Sequence, residues 1–280
     1  VKVRKFQDAK EFYARIQEYL LQQEALHNLL LGICHTLIHH PERFDETPYL
    51  ATVESDGEIV AVAMKTPPRP LLLSKITDFQ AVDLLAQDLY LSDKLLSGVN
   101  APTEESQAFV AAWHSLTAQS YQLALALRTF QLQKVQNISP VTGYLRLATE
   151  NDKELLVKWH EAFSLEALGK IETDSQRWAE WIFKQQKAYL WQDEVPVCIA
   201  CWSEVTPHRA RIGMVYTPPE YRRRGYASAC IAALSQTLLN QGNQFCFLFT
   251  DLANPTSNHI YQEIGYQPVG DWQQYSFVSD

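Results

Sequence analysis

The chain has 280 residues, 46% of them apolar, and a formal net charge of −8. That length suits two globular domains of about 140 residues each, either of which can bury a core. The acidic balance argues against nucleic acid or an anionic membrane as the main partner. The five cysteines, odd in number and without a small-protein framework, point to reduced thiols in the cytosol.

The opening Val1 to Phe6 contains a short strand, Lys2 to Phe6, and leads into a polar amphipathic helix over about Ala9 to Leu21. It reads as neither signal peptide nor anchor. A second helix follows near Ala25 to Ile38. Its apolar stretch is too short and too rich in histidine to cross a bilayer, so a soluble, cytoplasmic protein is expected. His35 and His39 stand four apart there, but no third ligand is near and no zincin glutamate is present. No metal is expected. Tyr49 to Glu54, Glu58 to Lys65 and Leu71 to Ile76 read as strands. A helix then begins almost at once, with Asp78 as its cap, and Ala101 to Ser106 opens another.

Turn residues in Asn137 to Gly143 mark a boundary, giving domains over 1–137 and 143–280. Gly143 to Ala148 reads as a strand. One helix starts near Asp152 with Leu155, Leu156, Trp159 and Phe163 on a face, and a second carries Trp178, Trp181 and Ile182. Strands over Ala188 to Trp191, Pro196 to Glu204 and Arg209 to Tyr216 follow. Cys198 and Cys201 are three apart on a strand, hence on opposite faces, and are expected to be structural. This order of elements repeats that of the first half, and Tyr49-Leu50 and Tyr189-Leu190 stand in matching places.

The stretch Val215 to Ser228 is the most informative. An apolar strand ends, a basic turn with Arg222, Arg223, Arg224 and Gly225 follows, and Ala227, Cys230, Ile231, Leu234 and Leu238 recur at helical spacing up to Gly242. A strand feeding an open helix N-terminus gathers unpaired N–H groups in a positive field, which suits a phosphate or pyrophosphate. Gly225 lets the backbone approach the ligand. The buried-looking strand Phe245 to Thr250 comes next. Asn254-Pro255 then caps a short helix on which Asn258 and Tyr261 share a face, and Gly265 ends it.

Arg222-x-x-Gly225-x-Ala227 resembles the Q/R-x-x-G-x-G/A signature of the GNAT-type (GCN5-related) N-acetyltransferases, and Asn254 through Tyr266 resembles the next block of that family. The resemblance implies an α/β (α+β) chain of two tandem GNAT-like domains, each a mixed, mostly antiparallel sheet flanked by helices. The first half has no glycine or basic turn after its third strand-like segment and no asparagine-to-tyrosine block, so its copy is degenerate. It further implies acetyl-CoA as co-substrate, no metal, and direct transfer to a primary amine of a small molecule or peptide in a ternary complex.

By the same resemblance, Val215, Tyr216 and Thr217 lie along the pantetheine, and Arg222, Arg223, Arg224, Gly225, Tyr226, Ala227 and Ser228 surround the phosphates. Asn254 and Asn258 line the cofactor, and Tyr261 is the general acid near the sulfur. The strand before the loop, where several relatives carry a glutamate, has no carboxylate. Glu204, His208, Glu166 and a water-mediated route therefore stay open for the base. A non-catalytic acyl-CoA-binding module is the alternative function. The state of association is also open, a homodimer included.

Overall fold

The computed structural model describes residues 1–92, 96–169 and 174–278. In chain order the first half contains β1 (Lys2–Phe6), α1 (Ala9–Leu21), α2 (Asn28–His39), β2 (Tyr49–Ser55), β3 (Glu58–Lys65), β4 (Leu71–Leu73), α3 (Gln80–Leu91), β5 (Gly98–Pro102), α4 (Thr103–Thr117) and β6 (Tyr121–Leu132). The second contains β7 (Tyr144–Leu147), α5 (Lys153–Leu168), α6 (Ser175–Lys184), β8 (Ala188–Asp193), β9 (Val195–Thr206), β10 (Arg209–Tyr216), α7 (Tyr226–Asn240), β11 (Phe245–Asp251), α8 (Pro255–Ile264) and β12 (Gln267–Phe277). Element for element the two lists agree, so the fold is a tandem duplication.

Packing divides the chain into two compact units, neither continuous in sequence. The N-terminal unit holds Val1–Thr129, Phe249–Asn254 and the stretch from Pro268 on; the C-terminal unit holds Phe130–Leu248 and Pro255–Gln267. Neither coincides with 1–137 or 143–280. Cuts fall within β6, within β11 and at the start of β12; of these strands β6 and β12 were not anticipated from sequence. Strand β4 ends at Leu73 rather than Ile76, because the next residues turn away into side-chain hydrogen bonds.

Within the N-terminal unit, strands run β1-β2-β3-β4-β5-β12. The pairing is antiparallel except between β4 and β5, where Leu71 and Leu72 face Val99 and Asn100 in parallel. Helices α3 and α4 cover one face, around Phe109, Trp113, Leu85 and Leu89. Asp8 caps α1 by accepting from the N–H groups of Lys10 and Glu11 at 2.8 and 2.9 Å, which satisfies two otherwise orphan donors.

In the C-terminal unit the order is β11-β10-β9-β8-β7, antiparallel except for β10 with β11. Alternation along β9 sends Cys198 and Ala200 into a core with α7 and α8, and Ile199 and Cys201 into one with α5 and α6. The two cysteines thus lie on opposite faces, as a period-two strand requires, and all five thiols are free and buried. The start of α5 is fixed by one carboxylate. Asp152 accepts from the Thr149 N–H and hydroxyl and takes a bidentate pair of bonds from Arg146. The Arg146 bond above all, then Thr149, holds this carboxyl down to about 2. Among the described residues no helix is long and apolar enough to cross a membrane.

Candidate functional site

The site begins with a fault in β10. Gly213 faces Cys201 on β9 and Tyr216 faces Ile199, so β10 spends one more residue than its partner. Met214 takes up the excess with φ +47°. Such a bulge shifts the strand's phase. Ala210 and Ile212 join the α7 core, whereas beyond the bulge Val215 keeps that side and Met214 and Tyr216 pack toward α5 and α6. Parallel pairing with β11 covers Arg209–Arg211 against Phe245–Phe247. The β11-facing edge of Ile212 to Tyr216 is therefore outside that ladder. Just past it, the Thr217 hydroxyl is buried and has no hydrogen-bond partner among the described residues.

The loop that follows is held at both ends. At its start, Arg222 Nε donates to the Thr217 carbonyl at 2.8 Å, Nη2 meets Glu166 Oε2 at 2.6 Å, and the guanidinium lies 5.8 Å from the Tyr216 ring centroid. At its end, the Tyr226 hydroxyl donates to Asp193 Oδ2 at 2.5 Å, and the Thr142 hydroxyl donates to the same oxygen at 2.9 Å. Those two bonds, with the charge of Arg224, hold the Asp193 carboxyl below the usual range; the Asp193 bond in turn pushes the Tyr226 phenol up. Gly225 has φ +79°, and a Cβ there would stand 2.9 Å from Val141 Cγ2.

The three arginines thus separate. Arg222 is tied to Glu166 and Thr217, and Arg224 is drawn toward Asp193 and Tyr226. Arg223, at φ +63° and exposed, makes no hydrogen bond or ion pair among the described residues. Helix α7 begins at Tyr226 without a side-chain cap. The leading N–H groups of Tyr226, Ala227 and Ser228 point out of a helix long enough to carry a full terminal dipole. An unpaired cation beside uncapped amides is a site for a multiply charged anion. Along the flank of α7, Ala229, Ala232, Ala233 and Gln236 face residues 135–141 across a cavity of about 460 Å³.

Helix α8 packs against α7. Asn258 is half-buried there and Tyr261 is buried, its ring 6.1 Å from Phe130 and 6.0 Å from Tyr266. The Tyr261 hydroxyl has no hydrogen-bond partner among the described residues, and burial raises its pKa well above the ordinary tyrosine range. Asn254 is exposed, precedes α8 and belongs to the N-terminal unit.

Of the sequence-based candidates for a base, His208 sits in the turn before β10 with φ +68°, at the far end of that strand from Thr217. Glu204 lies opposite Ala210, also before the bulge. Glu166 reaches the loop but is engaged by Arg222. Asp193, Thr142 and Val141 were not foreseen. They reach the loop from other parts of the chain, Asp193 from 33 residues before Tyr226, with no motif to announce them. His35 and His39 rings are 4.4 Å apart, and among the described residues no group of three potential metal ligands forms.

The comparable place in the N-terminal unit is closed. Beyond the parallel pairs of β4 and β5, the Ser74 N–H continues the β3 ladder to the Val62 carbonyl, and the Lys75 and Ile76 N–H groups are taken by His27 Nε2 and Glu105 Oε1.

Residues 193–277 match the family profile described as FR47-like protein. Among solved structures the chain is similar to a Drosophila protein at 13% identity and TM-score 0.70, covering 99% of this chain and 98% of that one. It is similar to a GCN5-related N-acetyltransferase from Sphaerobacter thermophilus at 15% identity and TM-score 0.66, with 99% and 96% covered. A tandem GNAT protein from the clavulanic acid biosynthesis pathway matches at 12% identity and TM-score 0.56, with 100% and 99% covered. No curated protein matches the sequence. The chain is a tandem GNAT-fold protein whose C-terminal part carries the FR47-like segment.

Proposed function

We propose that the C-terminal unit is an acyltransferase that moves an acetyl group from acetyl-CoA to a primary amine of a small molecule or peptide. One observation carries this reading: the uncapped start of α7, with Gly225 and the unpaired Arg223, adjoins a bulged strand end with a buried, unpartnered Thr217 hydroxyl. The parts fit CoA. Uncapped amides and a cation suit its pyrophosphate, and the free edge of β10 with an orphan hydroxyl suits the amides of pantetheine.

When bound, the donor supplies a thioester carbonyl for the amine to attack and a thiolate that leaves. Tyr226, Ala227 and Ser228 N–H groups, with Arg223, hold the pyrophosphate. Val215, Tyr216 and Thr217 orient the pantetheine, with Asn258 on the α8 side. Tyr261, neutral because it is buried, keeps a proton to give to the departing sulfur as the C–S bond breaks and the C–N bond forms. The amine's own proton leaves to water, since β10 carries no carboxylate from Arg209 to Tyr216.

That same lack of a base favours a second reading, a non-catalytic acyl-CoA-binding module. Calorimetry with acetyl-CoA on the wild type and on Gly225→Asp tests binding, and thiol release in an amine screen tests turnover. Saturable binding lost in the variant supports the donor site. Binding with no thiol release from any amine leaves the module reading in place of the enzyme.

A further inference from the structure

We propose that Arg222 and Glu166 form a clasp that positions the donor loop against helix α5, and that neither is a phosphate ligand or a base. The proposal rests on the acyl-donor reading of the loop for its effect on acetyl-CoA, but the clasp itself does not.

The guanidinium is held at three points. Nε donates to the Thr217 carbonyl, Nη2 meets the Glu166 carboxylate, and its face lies over the Tyr216 ring. Helix α5 is an anchored element on which to fasten a loop. The Arg146–Asp152–Thr149 cluster fixes its start, and Trp159 packs against Tyr216 with ring centroids 6.2 Å apart. Glu166 lies two turns beyond Trp159 on the same helical face, so one face of α5 touches the end of β10 and then the loop beyond it. The Thr217 carbonyl bond also fixes the peptide that bears the orphan hydroxyl. Turning Nε or Nη2 of this guanidinium to a phosphate would release the Thr217 carbonyl or the Glu166 carboxylate and disturb the contact with the Tyr216 ring. Glu166 Oε2 is taken up by Arg222.

Both side chains are partly exposed, at 39% and 57%, so the pair adds little to global stability. Its effect is local order. Hydrogen exchange on the ligand-free protein reads that order directly. Glu166→Gln and Arg222→Gln each speed exchange of the amides from Thr217 to Tyr226, and the double variant speeds it no more than either alone, because both remove one interaction. Glu220→Gln is the control: this carboxylate lies on the same loop, within electrostatic reach of Tyr216 but not bonded to Arg222, and it leaves exchange unchanged.

With acetyl-CoA as the probe, each single variant raises Kd about 2- to 5-fold, the size of a partly exposed ion pair. At saturating acetyl-CoA, kcat of Glu166→Gln stays within about twofold of wild type. Unchanged loop exchange in both singles overturns the clasp. A fall in kcat with Kd unchanged in Glu166→Gln makes Glu166 a base and also overturns it. A weakened Arg222→Gln beside an unaffected Glu166→Gln returns Arg222 to the phosphates. Failure of the wild type to bind acetyl-CoA defeats the donor-site reading instead, and the exchange result then decides the clasp alone.

Discussion

In the N-terminal unit the Ile76 N–H donates to Glu105 Oε1 at 3.2 Å, and that carboxylate is fully buried. Lys75 Nζ reaches the same oxygen at 3.0 Å, and the Lys75 N–H donates to His27. The strand end that offers a free edge in the C-terminal unit is therefore filled by the protein's own acceptors. Pairing of buried backbone donors is near-obligatory, so a duplicated fold that no longer binds a ligand must supply substitutes. The expected result is one acetyl-CoA per chain by calorimetry. A stoichiometry near two would mean that Glu105 gives way to ligand and that the first copy is functional.

Gly225 is constrained twice. Its φ of +79° strains any residue with a Cβ, and that Cβ would meet Val141 Cγ2 at 2.9 Å. Gly225→Ala is expected to cost about 1–2 kcal/mol in stability and to weaken acetyl-CoA binding. Adding Val141→Ala removes the clash but not the dihedral strain, so it restores part of both. Chemical denaturation and calorimetry on the two variants measure this. Full recovery in the double variant would show that the left-handed backbone contributes nothing.

Tyr261 is buried, yet its hydroxyl bonds to nothing among the described residues. Removing an unpaired hydroxyl costs little, so Tyr261→Phe should keep its melting midpoint to within about 0.5 kcal/mol equivalent. Acetyl-CoA affinity should stay unchanged while turnover falls about tenfold or more. Normal turnover in a well-folded variant would reduce Tyr261 to a core aromatic stacked among Phe130 and Tyr266.

The repeat, the glycine-containing basic loop before α7 and the helix α8 were legible because their signals are local: periodicity, one glycine, three arginines, an Asn-Pro cap. What escaped is set by distant partners. In β6, leucine alternates with alanine over Leu123 to Leu127, so both faces read as apolar and no strand period stands out. In β12, Pro268 and Gly270 suggest a turn, yet Trp272 is fully buried and Asp271 takes a bidentate pair of bonds from Arg128, over a hundred positions earlier. With the end of β11, these strands are where the compact units depart from the linker at 137–143. The arginines looked equivalent as a charge run. Only Glu166 and Asp193, remote in sequence, distinguish them.

His27 offers a pH test of the N-terminal unit. Its Nδ1–H donates to the Leu20 carbonyl at 3.0 Å, which leaves Nε2 to accept from the Lys75 N–H at 3.0 Å. Both bonds need the neutral ring. Burial pushes its pKa down to about 4, opposed only in part by the Leu20 carbonyl. The groups that face it are the Tyr19 ring and Lys75, the latter paired with Glu104 and Glu105. In the unfolded chain the ring titrates near about 6.5. Between those values the unfolded state binds more protons, so stability rises with pH. It is complete above about 6.5 and declines as pH falls toward about 4, by on the order of 3 kcal/mol. Urea unfolding across that window should therefore show a shallower pH slope in His27→Gln than in the wild type. Equal slopes would mean that the folded protein opens around His27 and lets it protonate in place.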